Sequence, residues 1–199
     1  MSSASVVSLY ERHAEQYDRD RSRQLQEKAW LERFLALVRP AGGILDIGCG
    51  MAEPIACYLL EAGFAVLGID SSPSLIAMCR KRFPHGEWRV ADMRELALAR
   101  RFDGLLAWDS FFHLTMEDQR AMFPRFAAHA LPGAPLLFTS GLARGEAIGS
   151  YGGEPLYHAS LDPEEYEALL SANGFSVVAH EAEDAQCGGH TVWLARKAQ

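Results

Sequence analysis

The chain has 199 residues, a net charge of −7 and ordinary globular proportions, 49% apolar and 23% charged, which suit one α/β domain with a full core. The negative charge argues against nonspecific nucleic-acid binding, which needs a basic face to displace counterions. No apolar run approaches the ~20 residues of a membrane span, and the start, MSSASVVSLYERHAEQYDRDR, has neither the basic nor the apolar region of a signal peptide.

Helix and strand signals alternate along the chain. Residues 6–17 and 22–38 read as two helices; the second carries Trp30, Leu31, Phe34, Leu35 and Leu37 near helical spacing and stops at Pro40. GILDI is a buried strand. Residues 54–62 form a helix ended by Gly63. FAVLGID is the next strand. SSPSLIAMCRKRF opens with a Ser cap and a Pro in its first turn, then runs as a helix to Pro84. GEWRVAD and FDGLLAWD are the third and fourth strands. TMEDQRAMFPRFAAHAL is helical, with Thr115 as cap and a kink expected at Pro124. APLLFTSG is the fifth strand. Residues 141–160 hold five glycines and little periodicity, the mark of a long loop; Tyr151, Tyr157 and His158 suggest that it acts as a lid. DPEEYEALLSANG is a capped helix ended by Gly174. FSVVAHEAE and HTVWLARK close the chain as an antiparallel hairpin.

Strands separated by helices mean βαβ units. The predicted fold is a single α/β domain over residues 1–199. It is doubly wound, with a mostly parallel seven-stranded sheet, the last strand antiparallel, helices on both faces and a helical N-terminal cover over residues 1–38. The cysteines, Cys49, Cys57, Cys79 and Cys187, form no C-x-x-C pair. They suggest neither zinc nor a redox dithiol and suit reduced thiols in the cytoplasm.

The functional signal lies in ILDIGCGMAEP, residues 44–54. Gly48 and Gly50 follow the first strand, where ligands bind in open α/β sheets. Glycine lets a ligand approach without meeting a Cβ. Asp70 ends the second strand, 20 residues after Gly50. An acid there can accept both hydroxyls of a ribose. Asp92 follows the third strand and can accept from an exocyclic amine. The ligand therefore contains a nucleoside. The dinucleotide fingerprint G-x-G-x-x-G fails at Glu53, and no P-loop is present. Asp46, just before the glycines, suits a cation better than an anion.

LDIGCG, VLGID, VADM and LLAWDSFFHL together resemble the class I S-adenosylmethionine-dependent methyltransferases. The resemblance implies S-adenosyl-L-methionine as cofactor and S-adenosyl-L-homocysteine as product. It puts Asp46, Gly48 and Gly50 around the methionine moiety, Asp70 and Ser71 at the ribose, and Asp92 and Met93 at the adenine. Trp108 and Asp109, ending the fourth strand, would lie beside the methionine part and the substrate. Tyr10, Tyr17 and Arg21 of the N-terminal segment would close over the cofactor, with Arg21 pairing its carboxylate. The sequence departs from the pattern at Ala52, where a third glycine is common. DSFF stands where methylases of DNA bases and protein amides have an Asn/Asp-Pro-Pro motif.

Methyl transfer from a sulfonium needs mainly alignment and exclusion of water, with a base to help a protonated acceptor. Asp109, His113 and His190 are the candidate catalytic residues. Phe112, Tyr151, Tyr157 and His158 are the candidate acceptor-binding residues, and no metal ligands stand out. Size and charge favour a small-molecule acceptor, without nucleic acid or membrane as partner. Two other readings compete: an NAD(P)-dependent oxidoreductase, opposed by Glu53, and a catalytically silent cofactor-binding module. The acceptor atom and the oligomeric state stay open.

Overall fold

The computed structural model describes residues 3–199. Its elements, in order, are α1 (Ser3–Arg12), α2 (Ala14–Asp20), α3 (Lys28–Leu35), β1 (Gly43–Ile47), α4 (Ile55–Glu61), β2 (Ala65–Asp70), α5 (Pro73–Arg82), β3 (Glu87–Val90), β4 (Gly104–Ala107), α6 (Met116–His129), β5 (Pro135–Ser140), β6 (Gly145–Tyr151), β7 (Glu154–Ser160), α7 (Pro163–Ala172), β8 (Phe175–Asp184) and β9 (His190–Lys197). Seven strands form one sheet in the order β3-β2-β1-β4-β5-β9-β8. The first five are parallel; β9 runs antiparallel to both β5 and β8. The reversed strand is thus the last in sequence, as expected, and it lies inside the sheet.

Each face of the sheet has its own core. Leu45, Ile47, Leu67, Leu105 and Phe138 point to one side, under Phe123 and Phe126 of α6 and Tyr166 of α7. Ile44, Val66, Leu106, Leu137 and Leu194 point to the other, under Phe34 of α3, Leu59 of α4 and Ile76 of α5. The alternation of Ile44, Leu45 and Asp46 along β1 follows from the two-residue period of a strand. Strands buried on both faces read as continuous apolar runs, as GLLA and PLLFTS do.

Helix caps are largely those the sequence predicts. Ser72 Oγ accepts from the Leu75 N–H, and Thr115 Oγ1 accepts from the Asp118 N–H. Asp162, at the head of α7, does not cap it. Its Oδ1 takes the Arg144 N–H instead. α6 continues through Pro124 to His129.

Three expectations change. Residues 6–17 are not one helix: α1 and α2 meet at His13, whose φ of −105° leaves the helical region. The helix expected over 22–38 is confined to Lys28–Leu35, because the polar run before it brings Leu25 alone of its apolar side chains to the core. Residues 141–160 are not a loop. β6 and β7 pair antiparallel through a two-residue turn, Gly152–Gly153, both at positive φ. Such a turn matches the strand twist and needs glycine.

Gly104 of β4 shows how closely α3 lies on the sheet. A Cβ there would meet Phe34 Cζ at 2.6 Å and Val38 Cγ2 at 2.9 Å, both buried. Gly104→Ala should lower stability by about 1–3 kcal/mol through overpacking, measured as a lower urea midpoint with unchanged slope.

Candidate active site

The strand order reverses between β1 and β4, and the crevice at their carboxyl ends is the site. Gly48 sits at φ +78°. A Cβ on it would lie 2.3 Å from Ser110 Cβ. Ser110 Oγ donates to the Ile47 carbonyl at 2.6 Å, joining the ends of the two strands. Gly50, at φ +54°, donates its N–H to Asp70 Oδ2 at 3.0 Å. Asp70 Oδ1 accepts from the Ser72 N–H at 2.8 Å. Burial raises the Asp70 pKa, and these backbone donors oppose the rise. Ala52 holds φ +73°, so it keeps the left-handed turn a glycine would make.

The resulting cleft encloses about 720 Å³, open to solvent at its mouth. Asp70, Ser71, Asp92 and Met93 line it, with Val6, Val7 and Leu114 as apolar walls. Asp92 caps a 3-10 turn, Met93–Glu95, and pairs with Arg94, which holds its carboxyl below the usual range. The cleft continues past Gly48 and Gly50 into a second lobe of about 360 Å³, lined by Tyr17, Arg21, Asp46, Trp108 and Asp109. Asp46 is 4% exposed. Burial, with Asp70 nearby, pushes its pKa up to about 7, and no hydrogen bond to its carboxylate opposes this.

The N-terminal helices form the roof. Glu11 accepts from Ser72 Oγ at 2.5 Å, Ser74 N–H at 3.1 Å and Ser74 Oγ at 2.7 Å, so α1 sits on the head of α5. Asp18 takes both guanidinium arms of Arg82, and Arg82 and Arg23 also reach Glu53 at 3.0 and 3.4 Å. Glu53, at the wall of the inner lobe, is therefore an anchor for the cover. Tyr10 and Tyr17 meet edge-to-face at 5.2 Å over the glycine loop, and Tyr151 stacks on Tyr10 at 6.0 Å. The hairpin turn is tied to α1 through Glu154, which pairs with Arg12 and with His13 at 2.8 Å.

His113 lines the cleft, but both its nitrogens are engaged. Nδ1 lies 2.9 Å from the Tyr157 carbonyl and Nε2 lies 3.1 Å from Tyr10 Oη. The carbonyl only accepts, so Nδ1 carries the proton and Nε2 accepts from the tyrosine. Burial lowers the His113 pKa to about 4. This histidine links cover, β4–α6 connection and hairpin; neither lone pair nor proton is turned to an acceptor.

Asp109 stands where the clefts meet. Its backbone is at φ +49° and its N–H donates to Thr139 Oγ1 at 2.9 Å. Oδ2 lies 3.6 Å from Arg21 Nη1, and Oδ1 lies 2.9 Å from His190 Nε2. The Oδ1 contact is close but off the hydrogen-bond axis, since this buried oxygen has no aligned donor. It is an ionic contact, complete when the ring is protonated. His190 Nδ1 lies 2.6 Å from the Cys187 carbonyl, so Nε2 receives the second proton beside Asp109, and the His190 pKa is raised. Cys187 and His190 thus meet through a backbone carbonyl. Among the described residues, no group of three or more His, Cys, Asp or Glu is arranged to hold a metal.

Beyond Asp109 a vestibule opens in two lobes of about 490 and 830 Å³, sharing Phe112, Ser140, Gly141 and Leu142. His190, Thr191 and Glu183 line the first, His158, Glu146 and Ala147 the second. The Phe112 and His158 rings lie 5.4 Å apart. Burial lowers the His158 pKa, so this ring is neutral near pH 7.

Two expected acceptor-binding residues are elsewhere. Tyr157 packs with Val6, Leu9 and Leu156 and donates to Glu146. Tyr151 faces the cover, 3.4 Å from Asp20 Oδ2. The two-residue period of β7 separates Tyr157 from His158, and Tyr151 lies at the end of β6. Three residues at the site carry no local sequence signal: Glu11, Glu27 and Glu183 come from distant segments. Trp193 is core, stacked on His180 at 3.6 Å.

Residues 44–133 match the family model described as a methyltransferase domain. The chain is 30% identical over 136 residues to a dTDP-3-amino-3,6-dideoxy-α-D-glucopyranose N,N-dimethyltransferase of Streptomyces fradiae, covering 65% of this chain and 51% of the relative. It is 30% identical over 166 residues to an O-methyltransferase of Pyrenophora dematioidea, 76% of this chain and 61% of that one. The chain thus spans half to three fifths of these relatives' lengths. Among solved structures, the CcbJ methyltransferase of Streptomyces caelestis superposes with a TM-score of 0.75 at 18% identity, over 94% of this chain and 96% of that one. A 1,6-didemethyltoxoflavin-N1-methyltransferase of Burkholderia thailandensis, bound to its acceptor and S-adenosylhomocysteine, gives 0.73 at 21% identity, over 99% and 87%. The chain has the fold of these solved methyltransferases, and its residues 44–133 resemble the methyltransferase-domain family. None of the proteins just named is an oxidoreductase.

The buried His113 makes stability depend on pH. Its folded pKa, about 4, lies below the ordinary 6.5. The unfolded chain therefore binds the extra proton first, and stability falls as pH drops from about 6.5 towards 4, by up to about 3 kcal/mol. In urea titrations across that range, His113→Phe should flatten this part of the dependence relative to the parent protein.

Proposed function

We propose that the protein is a methyltransferase that uses S-adenosyl-L-methionine, releases S-adenosyl-L-homocysteine and methylates a small molecule. Asp46 carries the reading. It is a carboxylate buried beside the glycine loop, facing the inner lobe of the cleft with no partner of its own. A buried charge needs a counter-ion or hydrogen bonds, and the cofactor's amino-acid end bears a cation. Asp70 and Ser71 are placed for a ribose and Asp92 and Met93 for an adenine. Glu53, a carboxylate lining the inner lobe, would repel a pyrophosphate.

When bound, the cofactor supplies a methyl on a sulfonium with a good leaving group. The protein's own residues do the rest. Tyr10 and Tyr17 roof the cleft and keep water out. Trp108 and Asp109 form the wall between cleft and vestibule, where the acceptor waits. The His190–Asp109 pair takes the acceptor's proton: the neutral ring accepts it at Nε2, and Asp109 stabilises the imidazolium. His158 and Phe112 flank the acceptor. Carboxylates but no Lys or Arg line the vestibule among the described residues, which supports an uncharged or cationic acceptor. The hairpin β6–β7 serves as the lid. The whole chain works as one domain, with its free cysteines in the cytoplasm and with neither nucleic acid nor membrane as partner. Among the described residues no helix is long and apolar enough to cross a membrane.

Two measurements test this. Calorimetric titration with S-adenosylmethionine, S-adenosylhomocysteine and NADH should show micromolar binding of the two adenosyl compounds alone. Because free Asp46 titrates at about 7, a cation arriving beside it should expel a proton near pH 7. The binding enthalpy should then vary with the buffer's ionisation enthalpy, and Asp46→Asn should remove that variation; NADH binding alone would end the proposal. Once an acceptor is found, kcat/KM should rise with pH through an inflection above 6.5, since the raised His190 pKa must be passed to free the base. Asp109→Asn should move that inflection down.

A further inference from the structure

Glu27 is the buried acid that the reading above leaves without a task. It is 4% exposed, lies at the head of α3 and lines none of the cleft or vestibule lobes described above. Its backbone carbonyl accepts from the Trp30 and Leu31 N–H groups, which opens the helix. Its side chain makes no cap. The helix is therefore opened by the backbone of residue 27 and not capped by its carboxylate. Taking a carboxylate out of water costs several kcal/mol unless a cation compensates.

The cation is Arg21. One guanidinium arm lies 3.5 Å from Glu27 Oε1, and the other lies 3.6 Å from Asp109 Oδ2. The arginine is bracketed by two acids from different elements. Both contacts are longer than a hydrogen bond at full strength. Five N–H donors with two loose partners leave room for a third anion. Arg21 lines the inner lobe together with Asp46, Gly48 and Gly50. A cation and an orphan carboxylate lining one lobe match the two charges of an α-amino acid. Without Glu27, the guanidinium has one remaining carboxylate, Asp109, and its withdrawal onto that residue would take it off the lobe and compete with His190.

We infer that Glu27 is a positioning residue: its carboxylate holds Arg21 at the inner lobe, where the guanidinium receives the carboxylate of the cofactor's amino-acid end. This rests on the cofactor assignment proposed above. A merely structural Glu27, stabilising the head of α3 by its charge, would affect every ligand of the cleft alike.

Two ligands separate the roles. S-adenosylhomocysteine carries the amino-acid end, and 5′-methylthioadenosine lacks it. In calorimetric titrations of the full chain, Glu27→Gln should weaken S-adenosylhomocysteine about tenfold and change methylthioadenosine by less than about twofold. Glu27→Asp should recover part of the loss. In an Arg21→Ala background, Glu27→Gln should cost nothing further. Equal weakening of both ligands, unchanged S-adenosylhomocysteine affinity, or additive losses in the double variant would each overturn the role of Glu27 while leaving the cofactor assignment intact. Failure of the parent protein to bind either ligand would instead remove the cofactor assignment, and this inference with it.

Discussion

Two backbone N–H groups on one carboxylate organise this molecule. Asp70 takes one from Gly50 and one from Ser72. The first fixes the glycine loop after β1; the second fixes the head of α5. Ser72 then caps α5 and meets Glu11 of the cover. Loop, helix and roof are thereby referred to a single side chain at the end of β2. Hydrogen bonds to a charged acceptor are stronger than neutral ones, and burial makes this acceptor dependent on them. The cleft has its shape because three elements share that anchor.

The acids of the site differ by environment. Asp92 is paired with Arg94 and held in its charged form. Asp46 has only burial around it and is drawn towards neutrality. Asp109 lies between a guanidinium and an imidazole. One residue type thus supplies a fixed anion, a titrating one and a bridging one. The differences come from which cations stand beside each acid, not from depth alone.

The sequence carried the sheet well, because strands buried on both faces leave apolar runs between turn residues, as in GILDI and GLLA. It also carried the glycine loop with Asp70 and Asp92, since those positions follow strands directly. It carried the cover less well. The break at His13 has no proline or glycine to mark it, and tertiary contacts to Ser72, Ser74 and Arg82 hold the two short helices. The hairpin was legible in part: YGGE is a two-residue turn signal, hidden by glycines elsewhere in the segment. Tyr157 and His158 are adjacent in sequence yet face opposite sides, which only a strand assignment reveals. Glu27 was illegible, because its partner Arg21 is set by how a non-helical segment folds back between α2 and α3.

The position of β9 has a consequence for the order in which the molecule can be assembled. β8 precedes β9 in the chain, yet it touches the sheet only through β9. A nascent chain emerging from a ribosome can pair β1 to β5 and form the glycine loop as it goes. β8 then has no neighbour until β9 is made and inserted against β5. The connection between them and the start of β9 carry Gly188, Gly189 and His190, so one wall of the vestibule arrives last. During synthesis the chain passes through a stage in which the cleft and the hairpin side of the vestibule can be formed while the β9 side is still missing.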